Sequence, residues 1–269
     1  MLYGASFNPV VKISIVTAVR NGAKTIQQAI DSIGTQKGCT IEYIVVDGMS
    51  HDGTEDILRS NESKIDTLIR EPDHGIYDAM NKGLKAATGD IVGFLHADDS
   101  LADPKTLSQI LNAFQSERFD AVYGDLVYVK ATDDEHLIRY WQGGNYCRQR
   151  FRRGWMPPHP TVYVKKHIYD QLGNYRNDFG SAADYECMVR LMVKNNIKVG
   201  YIPEILVKMR MGGKSNATLR NRLAANRWDR RAWSENGLKP PLGLRLFKPL
   251  SKLPQYWQRP KPARNNDKT

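Results

Sequence analysis

Ile91-Val92-Gly93-Phe94-Leu95-His96-Ala97-Asp98-Asp99 is the stretch on which the fold of this 269-residue chain turns. An apolar run of strand length ends abruptly in two adjacent carboxylates, followed by Ser100 and Pro104. Paired acids at the C-terminal end of a buried strand suit a hard divalent cation with phosphate oxygens. Mg²⁺ takes one or two protein carboxylates and leaves its other positions to water and substrate phosphates. Open α/β sheets bind their ligands outside the carboxyl ends of the strands. The competing reading is a solvated Asp-Asp turn.

The residues before this run repeat one pattern. Lys12–Thr17 reads as a buried strand that breaks at Arg20-Asn21-Gly22, after which Ile26, Ala29, Ile30 and Ile33 recur at helical spacing. Ile41–Asp47 is a second buried strand ending in a carboxylate. It is followed by the loop 48–53 and by Thr54, placed to cap a helix containing Ile57 and Leu58. Thr67–Ile69 is a third strand. Ile76, Met80, Leu84 and Ala87 mark a helix closed by Gly89, and 91–95 is the fourth strand. Strands alternating with helices predict a mostly parallel central sheet flanked by helices, an α/β fold. Beyond residue 100 the pattern loosens. Strand material lies at 121–130 and 161–164, and helical periodicity runs from Asp184 to Val193. Residues 141–158, with two tryptophans, Gly143-Gly144 and four arginines, read as a mobile loop over the site.

Composition narrows the class. Cys39, Cys147 and Cys187 are widely separated, which argues against a disulfide framework or a zinc site and fits a reducing compartment. No stretch approaches the ~18 apolar residues of a membrane span, and the first ten residues do not form a secretory signal. A cytoplasmic location is expected. The net charge of +10 is uneven: from Lys208 onward there are 16 Lys and Arg against 3 Asp and Glu, which leaves the first 207 residues net acidic. A cationic tail suits a polyanionic surface, either nucleic acid or acidic lipid.

Thr17, Asp47 and Asp98-Asp99 thus stand at three strand ends, and the motifs around them resemble a known family. They are 15–21 (IVTAVRN), 45–54 (VVDGMSHDGT), 71–83 (EPDHGIYDAMNKG) and the 94–99 acids. His159-Pro160, Ala183-Asp184-Tyr185-Glu186 and 209–215 (MRMGGKS) follow. Taken in order, the chain resembles an inverting family 2 glycosyltransferase of the GT-A fold, similar to bacterial colanic acid, O-antigen and exopolysaccharide enzymes. The resemblance implies a GT-A domain over 1–216. Its nucleotide-sugar half would be 1–100 and its acceptor and catalytic half 101–216, followed by a basic, partly helical extension at 217–269.

The resemblance also implies roles. Thr17, Asp47, Asp73, Asn81 and Asp98 would bind the nucleotide-sugar donor, UDP-linked or GDP-linked. Asp99 would ligate Mn²⁺ or Mg²⁺, which neutralises the leaving diphosphate. The family usually has another Asp two residues before Asp98, where this chain has His96. Asp184 would be the general base for the attacking hydroxyl, with Glu186 as fallback, and its place at a helix N-terminus would keep it ionised. His159 and Lys214 would lie by the diphosphate or the acceptor. The 211–215 segment lacks the P-loop spacing and reads as a loop closing over the diphosphate. Structural alternatives stand beside these roles: a helix cap for Asp47 and Asp184, a structural histidine for His159, and core packing for Ile76, Met80 and Leu84.

Family members commonly extend a glycan on a polyprenyl diphosphate at the inner membrane. In the tail, basic residues interleave with Leu244, Leu246, Phe247, Leu250, Leu253, Tyr256 and Trp257. That mixture suits a peripheral membrane-surface segment, at ~1 kcal/mol per basic residue near an anionic leaflet; a solvated tail is the alternative. Two other functions compete. A sugar-phosphate nucleotidyltransferase would want a glycine-rich opening, and Val19–Gly22 is glycine-poor. A nucleic-acid-binding protein would carry basic and aromatic residues on its body, and the body here is net acidic.

Overall fold

The structure, a computed structural model, describes residues 11–211, 219–241 and 253–260, without the side chains of 219–226 and 253–254. One half of the sheet is built from β1 (Lys12–Val19), β2 (Thr40–Asp47), β3 (Thr67–Arg70) and β4 (Ile91–Phe94) in the order β3-β2-β1-β4, all parallel. Their carboxyl ends therefore share one edge. The helices between them are α1 (Ile26–Gly34), α2 (Thr54–Ser60) and α3 (Ile76–Ala86).

The other half is mixed. Beyond β4 come β8 (Tyr163–Lys165), β6 (Ala121–Lys130), β9 (Val199–Arg210) and the short β5 (Asp99–Leu101), while β7 (Asp133–Trp141) pairs with β6 as an outer strand. β8 runs antiparallel to both β4 and β6, which turns the sheet from its parallel half into its mixed half. Helices α4 (Thr106–Ser116), α5 (Arg148–Phe151), α6 (Lys166–Leu172), α7 (Ala183–Met188) and α8 (Leu219–Glu235) are the remaining α-helices among the described residues, and a π-helical turn over 189–194 continues α7.

Strand alternation splits the core into two clusters, one on each face. Ile13, Ile15, Tyr43 and Val45 pack with Ile26, Ala29, Ile30 and Ile33. Val16, Ile44, Val46 and Phe94 pack with Met80 and Leu84. Each fully buried aliphatic side chain is worth ~1.5–3 kcal/mol. Gly83 sets how closely α3 approaches the sheet, since a Cβ there would stand 2.2 Å from a Val16 methyl.

Three local expectations are corrected. Thr54 is the first residue of α2 rather than its cap: Asp52 Oδ1 accepts the Thr54 N–H at 3.1 Å, and Thr54 Oγ1 instead accepts from the Gly22 N–H. α3 ends at Ala86, and Gly89 serves packing, because a Cβ there would meet Ser14 Oγ at 2.6 Å. Residues 141–158 are not a free loop. Phe151 and Trp155 are core residues, and the Arg150 guanidinium lies 4.3 Å from the Trp155 ring centroid with Nη1 donating to Asn145 O at 2.9 Å. The arginine count suggested solvent, but the aromatic anchors between the arginines required burial.

One carboxylate links the early strands. Glu42 accepts from Ser14 Oγ at 2.5 Å and from the Thr88 N–H at 2.8 Å, with Lys12 Nζ at 3.4 Å. Burial opposes its ionisation, yet the Ser14 and Thr88 hydrogen bonds outweigh it and hold the pKa down to about 2. A depressed carboxylate stabilises the fold above its unfolded pKa, and that contribution is lost as pH falls through the folded value. Glu42 should therefore contribute ~2–3 kcal/mol at neutral pH that fades between about pH 4.5 and pH 2. Thermal midpoints of Glu42→Gln and the parent protein, compared from pH 6 to pH 2.5, should converge at the acid end.

Candidate active site

At the shared carboxyl edge the paired acids separate. β4 stops at Phe94, the His96 carbonyl accepts the Asp99 N–H at 3.0 Å, and Asp99 opens β5 opposite Met209 of β9. This tight turn leaves Asp98 partly exposed and buries Asp99 to 2%. Among the described residues neither Asp99 carboxylate oxygen has a hydrogen-bond partner. Burial, then the Asp98 charge, push the Asp99 pKa well up, and the nearby Arg210 backbone amide only partly offsets them.

A buried carboxylate with both oxygens unpartnered is costly unless a cation meets it. That orphaned pair, with Asp98 beside it, fits Mg²⁺ or Mn²⁺, which need only one or two protein carboxylates when phosphates supply the rest. Among the described residues no cluster of three or more His, Cys, Asp or Glu forms a self-sufficient metal cage, which leaves substrate oxygens as the natural complement.

Two imidazoles follow the acids. The His96 and His159 rings lie 6.0 Å apart, and His159 also stacks near Phe94. Burial lowers the His96 pKa against the opposing fields of Asp98 and Asp184. Burial, then His96, bring His159 down to about 3. His159 is thus neutral, and its Nε2 stands 2.8 Å from the Tyr175 hydroxyl. Burial keeps that phenol protonated, so Tyr175 donates, Nε2 accepts, and the ring proton sits on Nδ1.

Asp184 reaches the same place from the far half of the chain. It lies in the first turn of α7, close enough to act on His96, and it hydrogen-bonds Tyr77 of α3. Acids from β4–β5 and α7 therefore meet around the histidine pair. Glu186 does not join them. It is fully buried, paired with Arg190 at 3.0 Å, and accepts from Asn236 at 3.1 Å, so it ties α7 to the end of α8. Residues two apart on a helix face different directions.

The remaining candidates divide between pocket and scaffold. Thr17 is buried in β1 and accepts from the Tyr43 hydroxyl at 3.2 Å. Asp47 ends β2 with both oxygens engaged, Oδ1 by the Ser50 N–H at 3.0 Å and Oδ2 by Arg70 Nε at 3.1 Å. It fixes the loop that follows. Asp73 lies directly over Gly48, where a Cβ would stand 1.8 Å from its carboxylate, so only glycine lets the two loops meet. Asn81 clasps the main chain of Tyr175, donating to its carbonyl at 2.8 Å and accepting its N–H at 3.0 Å. Lys214 lies outside the described residues.

Sequence reasoning missed Tyr77, Arg70, Tyr175 and Tyr128. Tyr77 stood inside the 71–83 motif and could have been singled out as a polar aromatic amid core positions. Tyr128 emerges only from register. Asp99, Met209, Tyr128 and Arg139 follow one another across β5, β9, β6 and β7. Arg139 lies 4.6 Å over the Tyr128 ring and 5.2 Å from that of Tyr256, and its Nε donates to Gln255 at 2.7 Å. The segment Leu253–Tyr256 is thereby pinned to β7. Of the apolar tail residues, Tyr256 and Trp257 are 50% and 74% exposed, while 244–250 lie outside the described residues. Among the described residues no helix is long and apolar enough to cross a membrane.

Comparison with known proteins agrees with this geometry. Residues 14–170 match the family model for glycosyl transferase family 2. A "PGL/p-HBAD biosynthesis glycosyltransferase" of Mycobacterium bovis is 30% identical over 209 residues, covering 76% of this chain and 78% of that protein. In fold, the chain is similar to S. aureus TarS 1-349 in complex with UDP-GlcNAc (TM-score 0.65, 17% identity, 91% of this chain and 78% of that one). It is also similar to the mannosyltransferase PcManGT of Pyrobaculum calidifontis in complex with GDP-Man and Mn²⁺ (TM-score 0.63, 18% identity, 93% and 74%). With more than half of the chain inside the family model and the acids gathered at the edge where an α/β sheet takes its ligand, the protein belongs to glycosyltransferase family 2.

Proposed function

We propose that this enzyme moves a hexosyl unit, with inversion, from a nucleoside diphosphate sugar to a hydroxyl of a saccharide acceptor. A UDP-sugar is the favoured donor and a GDP-sugar the alternative. The observation that carries the reading is the meeting of Asp98 with Asp184 around His96 and His159, with the buried Asp99 carboxylate beside Asp98. Asp99, with Asp98 beside it, would hold Mn²⁺ or Mg²⁺, whose charge supports departure of the diphosphate. Asp184 takes the proton from the acceptor hydroxyl as that oxygen attacks the anomeric carbon from the face opposite the diphosphate. One base and one direct displacement give an inverted product.

Thr17 and Asp73 line the base and ribose end, and Asp98 faces the ribose or donor sugar. Asp47 shapes that end through Ser50 and Arg70, and Asn81 through its hold on Tyr175. His159 and Lys214 are assigned to the diphosphate and acceptor side. The acceptor is read as a polyprenyl-diphosphate-linked glycan of surface polysaccharide biosynthesis, met at the cytoplasmic face of the inner membrane, where Trp257 and the basic tail would touch anionic lipid.

Titration with UDP- and GDP-sugars, with and without Mn²⁺, should show cation-dependent binding of one donor class and no binding of DNA. A donor screen against polyprenyl-diphosphate sugars, followed by anomeric analysis, should give an inverted linkage. A product of retained configuration would overturn the mechanism.

A further inference from the structure

Helix α3 carries residues 76–83 of the 71–83 motif, in which sequence reasoning assigned Asp73 and Asn81 to the nucleotide. Its side chains lead elsewhere. Asn81 grips the Tyr175 main chain from both sides, and the Tyr175 ring stacks on Tyr77 with centroids 5.7 Å apart and planes 26° from parallel. Tyr175 is itself fixed by its hydroxyl bond to His159 and by edge contact with Phe94. Tyr77 is therefore held at both its helix and its ring, and its hydroxyl reaches the main-chain N–H and the carboxylate of Asp184. The Tyr185 N–H meets Asp184 Oδ1 at 2.7 Å from inside α7. The carboxylate is thus held from its own helix and, across the sheet edge, from α3.

We propose that Tyr77 is a positioning residue for Asp184, its hydroxyl fixing the rotation of the carboxylate so that one oxygen faces the acceptor hydroxyl. This rests on Asp184 being the base. A carboxylate held from one side only would sample rotations in which neither oxygen lies in line with the incoming proton, and small misplacements of reacting groups carry large rate penalties. Burial and the Asp184 charge both keep the Tyr77 phenol protonated, so it acts as a fixed donor and not as a second base. Asn81 and Tyr175 set where that donor stands.

Tyr77→Phe tests this directly, because phenylalanine keeps the ring stacked on Tyr175 and removes only the hydroxyl. The loss of one hydrogen bond to a charged group predicts a kcat about tenfold or more below the parent. The KM for the donor should be unchanged, and the variant should remain folded with only a modest fall in thermal midpoint. A kcat within twofold of the parent, or a loss that appears only as raised donor KM, would overturn the proposal. Asp184→Asn, assayed alongside, separates the two ideas. If that variant is inactive while Tyr77→Phe is fully active, the positioning role fails and the base stands. If Asp184→Asn transfers normally, the base assignment fails and the role of Tyr77 falls with it.

Discussion

Asp184→Asn is expected to lower sugar transfer by about 10²–10⁴, the usual contribution of a positioned general base, while donor affinity stays at the parent level. The two halves of this expectation have separate structural grounds. Asp184 sits on α7, while the proposed donor residues Thr17 and Asp47 sit on β1 and β2, so its substitution should leave their contacts with the donor in place. Asparagine keeps the size of the side chain and removes its basicity. Isothermal titration with the donor, beside a transfer assay, resolves the pair; normal transfer by this variant would remove the proposed base.

The second large effect is expected at Asp99, and its sign differs between activity and stability. Asp99→Asn should abolish cation-dependent donor binding, because both oxygens of this buried carboxylate lack a hydrogen-bond partner among the described residues. In chelator-treated protein, however, the same substitution should not lower the thermal midpoint and should raise it. A neutral amide is far cheaper to bury than an unpaired charge. Adding Mn²⁺ should then stabilise the parent protein by ~2.7 kcal/mol at a hundredfold excess over Kd and leave the variant unmoved. A fall in chelated midpoint, with cation stabilisation retained, would show that Asp99 has another partner.

The parallel half of the fold was legible because its strands are apolar throughout and its helices keep a 3.6-residue period. Ile26, Ala29, Ile30 and Ile33 were placed on the buried face of α1, and the structure has them there. The paired acids were legible because they end such a strand. The tight turn that buries Asp99 and leaves Asp98 outside was not, since it depends on the antiparallel pairing of β5 with β9, more than a hundred residues away. β7 was hidden for a different reason: it is the returning arm of a local hairpin with β6, and its alternation is weak because it is a half-exposed outer strand.

At the site, residue types were easier to read than their partners. Asp47 and Asn81 were chosen as polar residues near a ligand, and both turn out to have their polar atoms engaged by the protein. A carboxylate or amide that holds a loop looks the same in sequence as one that holds a nucleotide. The nucleotidyltransferase and nucleic-acid readings, open on composition alone, give way to membership of glycosyltransferase family 2.

The docking of Leu253–Tyr256 on Arg139 reaches further than the tail itself. Arg139 rests on Tyr128, and Tyr128 is separated from Asp99 by a single strand. Cutting the protein short of residue 253, or fusing a bulky tag close behind Trp257, would disturb a brace that ends one strand from Asp99. Shortened versions made for crystallisation or screening should therefore be compared with protein that keeps residues 253–257 before any loss of cation binding at Asp99 is assigned to the site itself.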